Sequence, residues 1–267
     1  MIDKINQSTY TASRVVRYFE NINSLQPTEQ VIFDRIASEV KDKPILDIGV
    51  GAGRTISYLT KISRYYTGID YSKKMIESCK KRFPQVNLVN LDARDLSNFP
   101  SESFFFVLFS FNGIDCIDHS DRITIFTEIY RVLQKGGYFV FSSHNRDYYN
   151  CHSTGFRILQ SPGFNSALDP IKFSYYAISF LPGIFKRAYN RLKNKKFETH
   201  NQEYSIINDP AHNYSLLIYH ISISEQVTQL VRIGFSEKIE AYDNNGQFVL
   251  TDLKSPWIYY VARKEAS

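Results

Sequence analysis

Short apolar runs alternate with longer stretches of helical period through the first half of the chain. Upstream of them, residues 14–19 make one amphipathic helical piece. A second begins at Pro27-Thr28 and sets Val31, Ile32, Ile36 and Val40 on one face. Pro44-Ile45-Leu46-Asp47-Ile48-Gly49 is then a short apolar strand that ends in glycine. Helix (54–62), strand (65–69), helix (72–82, capped by Ser72 or Asp70) and strand (86–89) follow. A strongly apolar strand spans 104–111, a helix 122–133, and Lys135-Gly136-Gly137 turns the chain into a strand at 138–143. Strands separated by helices of this length predict right-handed crossovers and a parallel sheet. Near-continuous apolar runs fit strands covered on both faces.

After Ser143 the rhythm breaks, and residues 144–214 are rich in Tyr, Asn, Lys and Pro without clear alternation. It resumes with a helix at 224–233, Gly234-Phe235, a strand to Tyr242, a turn at Asn244-Asn245-Gly246 and a last strand at 257–262. The expected organisation is therefore an N-terminal helical segment (1–43), an α/β core (44–143), an insertion or cap (144–214) and the C-terminal part of the core (215–267). Within the insertion, 171–196 places Phe173, Tyr175, Ile178, Phe180, Ile184 and Phe185 ahead of a basic run from Lys186-Arg187 to Lys195-Lys196. Three readings stay open: a cap over a crevice, an interfacial element touching anionic lipid, and a packed helix pair with a solvated charged face.

With 43% hydrophobic residues the chain can bury a substantial core. Its 19 Tyr and 20 Phe are too many for the core alone, because each buried hydroxyl needs a partner, so some are expected to line a pocket or its cover. A net charge of +5 suits an anionic substrate or surface but is too weak to argue for nucleic acid. Cys79, Cys116 and Cys151 lack CxxC spacing, so neither a disulfide framework nor a zinc site is indicated. No run reaches the length of a signal peptide core or a membrane span, and a reduced cytoplasmic setting is expected.

The motif that carries chemistry is Asp47-Ile48-Gly49-Val50-Gly51-Ala52-Gly53-Arg54, between the first strand and its helix. Glycines there let the chain turn sharply and let a ligand approach the backbone. The spacing is G-x-G-x-G; the dinucleotide fingerprint would need glycine where Arg54 stands. Asp47 puts a carboxylate where a cationic ligand group would be welcome and a pyrophosphate would not. Asp70 ends the second strand, where an acid accepts both ribose hydroxyls, or alternatively caps the following helix. Tyr71 could lie flat against adenine. After the third strand, Asp92 and the Ala93 amide could bind adenine edges, or form a charged surface loop. Three such loops at the carboxyl ends of successive strands make one crevice.

Together these residues resemble the class I S-adenosylmethionine-dependent methyltransferases. Residues 45–54 resemble the family's nucleotide-binding motif, Asp70 its ribose-binding acid, and Asp92-Ala93 its adenine-binding pair. Phe109-Ser110-Phe111-Asn112 resembles the segment facing the methyl donor, and 133–138 the turn into the fifth strand. The match covers about 40–143, with the segment after Ser222 similar in pattern; Val50 departs mildly from the cysteine, alanine or serine of many relatives. The resemblance implies a doubly wound, Rossmann-like α/β sheet of seven strands with an insertion after the fifth, the last strand antiparallel. It implies S-adenosylmethionine as cofactor, held by Asp47, Gly49, Gly51, Gly53, Arg54, Asp70, Tyr71, Asp92, Ala93, Ser110 and Phe111. The segment 144–214 fits no family pattern, so the acceptor gets no support from resemblance.

Methyl transfer from a sulfonium is an in-line displacement, and a base is needed only when the acceptor must lose a proton. His144, directly after the fifth strand, is the expected base; His152, Asp115, His212 and His220 are weaker candidates, and Tyr219 and His220 are expected mainly to pack. No carboxylate and histidine set has metal-ligand spacing. The leading expectation is methylation of a small molecule such as a sugar or nucleotide-linked sugar, without a nucleic-acid partner. Methylation of RNA or DNA is disfavoured by Asn112-Gly113-Ile114-Asp115 standing where amino-methylating enzymes carry a proline-rich tetrad. A module that binds the cofactor without turnover remains an alternative. An NAD-dependent oxidoreductase is disfavoured by Arg54.

Overall fold

The computed structural model of the chain describes residues 2–10, 19–152, 183, 185–210 and 213–266. Five strands, β1 (Ile45–Ile48), β2 (Tyr66–Asp70), β3 (Asn87–Asn90), β4 (Phe104–Phe109) and β5 (Leu133–Asn145), run parallel in the order β3-β2-β1-β4-β5. Both faces are covered, as the unbroken apolar runs predict. Leu46, Ile48, Val107 and Phe139 pack against α5 (His119–Val132) through Ile125, Phe126 and Ile129. On the opposite face Ile45, Phe106 and Val140 meet Ile32, Phe33 and Ile36 of α2 (Pro27–Val40), Leu59 of α3 (Ile56–Ile62) and Ile76 of α4 (Lys73–Arg82). Ser72 caps α4 by accepting the Met75 amide.

The expected closing hairpin is present. β10 (Trp257–Arg263) lies antiparallel to β5, pairing from Trp257 opposite His144 to Arg263 opposite Tyr138, and β9 (Glu240–Tyr242) pairs with β10. The seven-stranded path β3-β2-β1-β4-β5-β10-β9 follows. Its order reverses between β1 and β4, and open α/β sheets bind ligands at the carboxyl ends flanking such a switch point.

What the sequence pattern did not show is a meander inside and beyond the insertion: β6 (Thr199–His200), β7 (Tyr204–Asp209) and β8 (Leu216–Ile221), joined antiparallel. It spans the boundary expected between 214 and 215. β5 outruns β4, and its last two residues pair in parallel with His220 and Ile221 of β8. His144 thus stands at a fork, with Trp257 on one side and His220 on the other. β8 is buried on both faces, His220 included. Leu217, Tyr219 and Ile221 form a small core with Ile2 and Ile5 of α1 (Ile2–Tyr10). Asn6 pins α1 there: its Nδ2 donates to the Cys116 and Leu217 carbonyls at 2.8 and 2.7 Å, and its Oδ1 accepts the Leu217 amide at 2.9 Å. The helical piece expected at 14–19 and most of the apolar part of 171–184 lie outside the described residues.

Candidate functional site

A cavity of about 420 Å³ opens at the carboxyl ends of β1, β2 and β4. Of the residues expected to bind a cofactor, Asp47, Gly49, Gly51, Arg54, Asp70, Tyr71, Asp92, Ala93, Ser110 and Phe111 line it, as does His144. Gly53 does not line it. A Cβ there would lie 2.7 Å from the Phe83 ring and 2.8 Å from Cys79 Sγ, so this glycine lets the turn close onto α4. At Gly51 a Cβ would meet only the Gly49 carbonyl, at 3.9 Å; the position needs glycine for its φ of +54°.

Asp70 is the best-fixed acid in the crevice. Its Oδ2 accepts the Gly51 amide at 3.0 Å and its Oδ1 the Ser72 amide at 2.8 Å. The turn after β1 and the start of α4 are thereby tied to one carboxylate. Burial pushes its pKa up to about 6, against the two amide hydrogen bonds. Asp47 is also raised to about 6 by burial, but its Oδ2 accepts the hydroxyls of Thr55 and Tyr66, the latter at 2.7 Å. That oxygen braces the turn.

Arg54 is held by a carboxylate the sequence did not single out. Glu29, fully buried in the first turn of α2, receives both guanidinium amino groups and the Ser110 hydroxyl. Arg54 also lies over the Phe111 ring, 5.1 Å from its centroid. Phe111 and Asn112 both adopt left-handed backbone, with φ of +58° and +57°, where the chain leaves β4. Asp92 is engaged differently from the simple expectation: Arg94 grips it from Nε and Nη2 and also pairs with Asp3 of α1 and Asp121 of α5.

At the fork of β5 a buried network surrounds His144. Asp115 Oδ2 lies 2.7 Å from both the His144 amide nitrogen and Nδ1. Asp115 Oδ1 accepts Arg122 Nη1 and the Ser143 hydroxyl, each at 2.7 Å. Burial would raise the Asp115 pKa, but the Arg122 guanidinium, His144 and Ser143 more than offset it and hold the carboxyl below its usual value. An ionised Asp115 only accepts, so His144 Nδ1 is the donor in this contact. Arg122 is wholly buried, and its remaining donors go to the Ile114 carbonyl, Ser143, Gln226 and Gln229.

His220 lies beside His144 with ring centroids 5.2 Å apart and planes tilted by 47°, and burial followed by His144 pushes its pKa down to about 4. Tyr219 faces the other way, under the Arg122 guanidinium and against His119 Nδ1 at 2.8 Å, which is the expected packing role. His212 and the side chain of His152 lie outside the described residues. The meander adds Asp209, Leu216 and Ile218 to the cavity wall, α1 adds Asp3, Asn6 and Gln7, and β10 adds Trp257 and Tyr259.

Residues 45–137 match the family model described as a methyltransferase domain. Phthiotriol/phenolphthiotriol dimycocerosates methyltransferase of Mycobacterium tuberculosis is 36% identical over 117 residues, 42% of this chain and 42% of that protein. Fatty-acid O-methyltransferase of Mycolicibacterium smegmatis is 36% identical over 110 residues, 39% of this chain and 38% of its own length. The match thus spans less than half the length of these two curated relatives. Among solved structures, an S-adenosylmethionine-dependent methyltransferase from Clostridium acetobutylicum superposes with a TM-score of 0.58 at 13% identity, covering 98% of this chain and 99% of that one. The 1,6-didemethyltoxoflavin-N1-methyltransferase of Burkholderia thailandensis gives 0.56 at 13% identity, covering 97% and 85%. At such identities these two likenesses establish the shared fold.

Proposed function

From the premise that residues 45–137 are a methyltransferase domain of the class I S-adenosylmethionine-dependent family, we propose that the chain methylates a protic group on a small-molecule acceptor, with His144 as the base. The observation that carries the base assignment is the Asp115–His144 contact at the crevice wall.

The crevice residues fit a sulfonium nucleoside. Asp70 keeps lone pairs beyond those given to Gly51 and Ser72, and these suit a ribose diol. Ile69, Leu91 and Ala93 offer apolar wall to a purine. Bound there, S-adenosylmethionine supplies an electrophilic methyl group. The chain's own contribution is position and proton transfer. Asp115 holds the His144 ring through Nδ1 and stabilises the imidazolium that forms when Nε2 takes the acceptor's proton. Arg122 and Ser143 keep Asp115 ionised and fixed while the histidine alone changes charge.

Near the fork the cavity wall is largely apolar, with Ile117, Leu216, Ile218 and Trp257. An acceptor with a hydroxyl on an apolar-faced body suits it. A sugar ring, the expectation from sequence, meets that description by stacking on Trp257. The apolar wall also favours a second reading, an acyl-bearing acceptor of the general kind named for the mycobacterial relatives. Incubation with methyl-labelled donor and fractionated extract separates the two by whether label enters the aqueous or the lipid phase. Label in neither, alongside tight donor binding, would leave a binding module without turnover and end the enzymatic proposal.

A further inference from the structure

The helix over 185–195 is amphipathic in the reverse of the usual sense. Its inward residues are polar and specifically bonded: Asn190 donates to the Asn213 carbonyl at 2.9 Å and Asn194 to the Tyr214 carbonyl at 3.0 Å. Arg187 and Arg191 flank the Tyr214 ring at 5.8 and 5.7 Å, and Arg191 pairs with Glu198. The apolar residues point outward. Phe185, Tyr189 and Leu192, spaced by four and three positions, form one stripe and are 70%, 64% and 77% exposed. Lys186, Lys193, Lys195 and Lys196 are all exposed and surround it.

A core-facing helix hides its stripe; here the asparagine and arginine contacts fix the rotation so that the stripe must face out. We infer that this face docks on an anionic lipid surface. The charge pattern selects that occupant. A second copy applied face to face would bring lysine against lysine, whereas acidic headgroups complement the ring while Phe185, Tyr189 and Leu192 enter the headgroup boundary. Lysine stems are long enough to reach headgroup phosphates from beside a buried apolar stripe. The contact is peripheral, since among the described residues no helix is long and apolar enough to cross a membrane. The anchoring residues Asn213 and Tyr214 directly precede β8, whose Leu216 borders the cavity, so docking would set the crevice beside the lipid surface. This inference stands on the helix alone and does not depend on the reaction proposed above.

The test is flotation of the full chain with vesicles of pure phosphatidylcholine and of equimolar phosphatidylcholine and phosphatidylglycerol. Binding is expected to the anionic vesicles only. Phe185→Ser with Leu192→Ser should weaken it about tenfold or more, and Lys193→Gln with Lys196→Gln about 25-fold, taking roughly fivefold per lysine. Both variants alter exposed side chains, so thermal unfolding and titration with S-adenosylhomocysteine should match the unchanged chain. The inference is overturned if the chain floats with neither vesicle, floats equally with both, or floats undiminished in the variants. It is equally overturned if the chain is a dimer that Phe185→Ser with Leu192→Ser converts to monomer.

Discussion

Replacing Asp70 by asparagine should make the empty protein more stable at neutral pH while removing most of its affinity for the methyl donor. Burial raises this carboxyl from 3.8 to about 6, so holding it ionised in the fold costs about 3 kcal/mol, at about 1.4 kcal/mol per unit. The folded value lies above the unfolded one. Its favourable contribution is therefore present below about pH 4 and is lost as pH rises through about 6, with the full penalty carried above about pH 7. An asparagine keeps an acceptor for the Ser72 amide but turns its NH₂ toward the Gly51 amide, forfeiting that bond at a cost of about 1–2 kcal/mol. The net gain at about pH 7.5 is about 1–2 kcal/mol, or a rise in Tm of roughly 2–8 °C. Near pH 4 the ionisation penalty is gone, only the lost bond remains, and the variant should melt below the parent. Weakened ribose hydrogen bonds should cost about 2–4 kcal/mol, a 30- to 1000-fold rise in Kd for S-adenosylhomocysteine. Scanning calorimetry at the two pH values and binding calorimetry test both halves. A Tm difference that keeps its sign across pH would refute the ionisation argument, and an unchanged Kd would refute the ribose assignment.

His144→Ala should lower kcat about 100- to 10,000-fold with little change in donor Kd. A turnover number within a few-fold of the parent would remove the histidine as base. Asp115→Ala leaves Arg122 buried without its counterion and should cost about 3–5 kcal/mol in denaturant unfolding; a loss under about 1 kcal/mol would mean the pair is poorly placed. In the unaltered chain, the Asp115 contribution should be present above about pH 4 and fall away as acid titrates its lowered carboxyl. Gly51→Ala should destabilise by only about 1–2 kcal/mol, through its positive φ, yet weaken donor binding because its Cβ enters the cavity. Gly53→Ala should do the reverse, unfolding more easily through its clash with α4 while binding normally where it folds. Asn6→Ala should release α1, seen as loss of amide exchange protection over residues 2–10 with the core unaffected.

The core was legible because each of its signals has a local cause. An apolar strand ending in glycine, an acid at the next strand's end and a capped helix are each fixed by neighbouring residues, and the chain from Ile45 to Asn90 follows them. The meander was not legible, because its burial depends on partners far away: β8 is buried at every position because α1 covers one face and the crevice wall uses the other. The buried network around Asp115 left a trace in the sequence. Arg122 stands in phase with Ile125, Phe126 and Ile129, all core residues. A cation on a buried stripe requires a carboxylate within reach, and Asp115, one short turn upstream, meets that requirement.

The helix at 185–195 shows what periodicity leaves open. Phe185, Tyr189 and Leu192 fall on one stripe in sequence and in structure, and by habit such a stripe is assigned to the core. Periodicity establishes that a face exists and says nothing of which way it turns. Direction is set by whichever face has the more demanding partners, and here those are the Asn213 and Tyr214 carbonyls, which would otherwise lose the donors of Asn190 and Asn194. The outward turn exposes three apolar side chains, and burial against an outside surface recovers that cost. The lysine ring indicates where that recovery comes from.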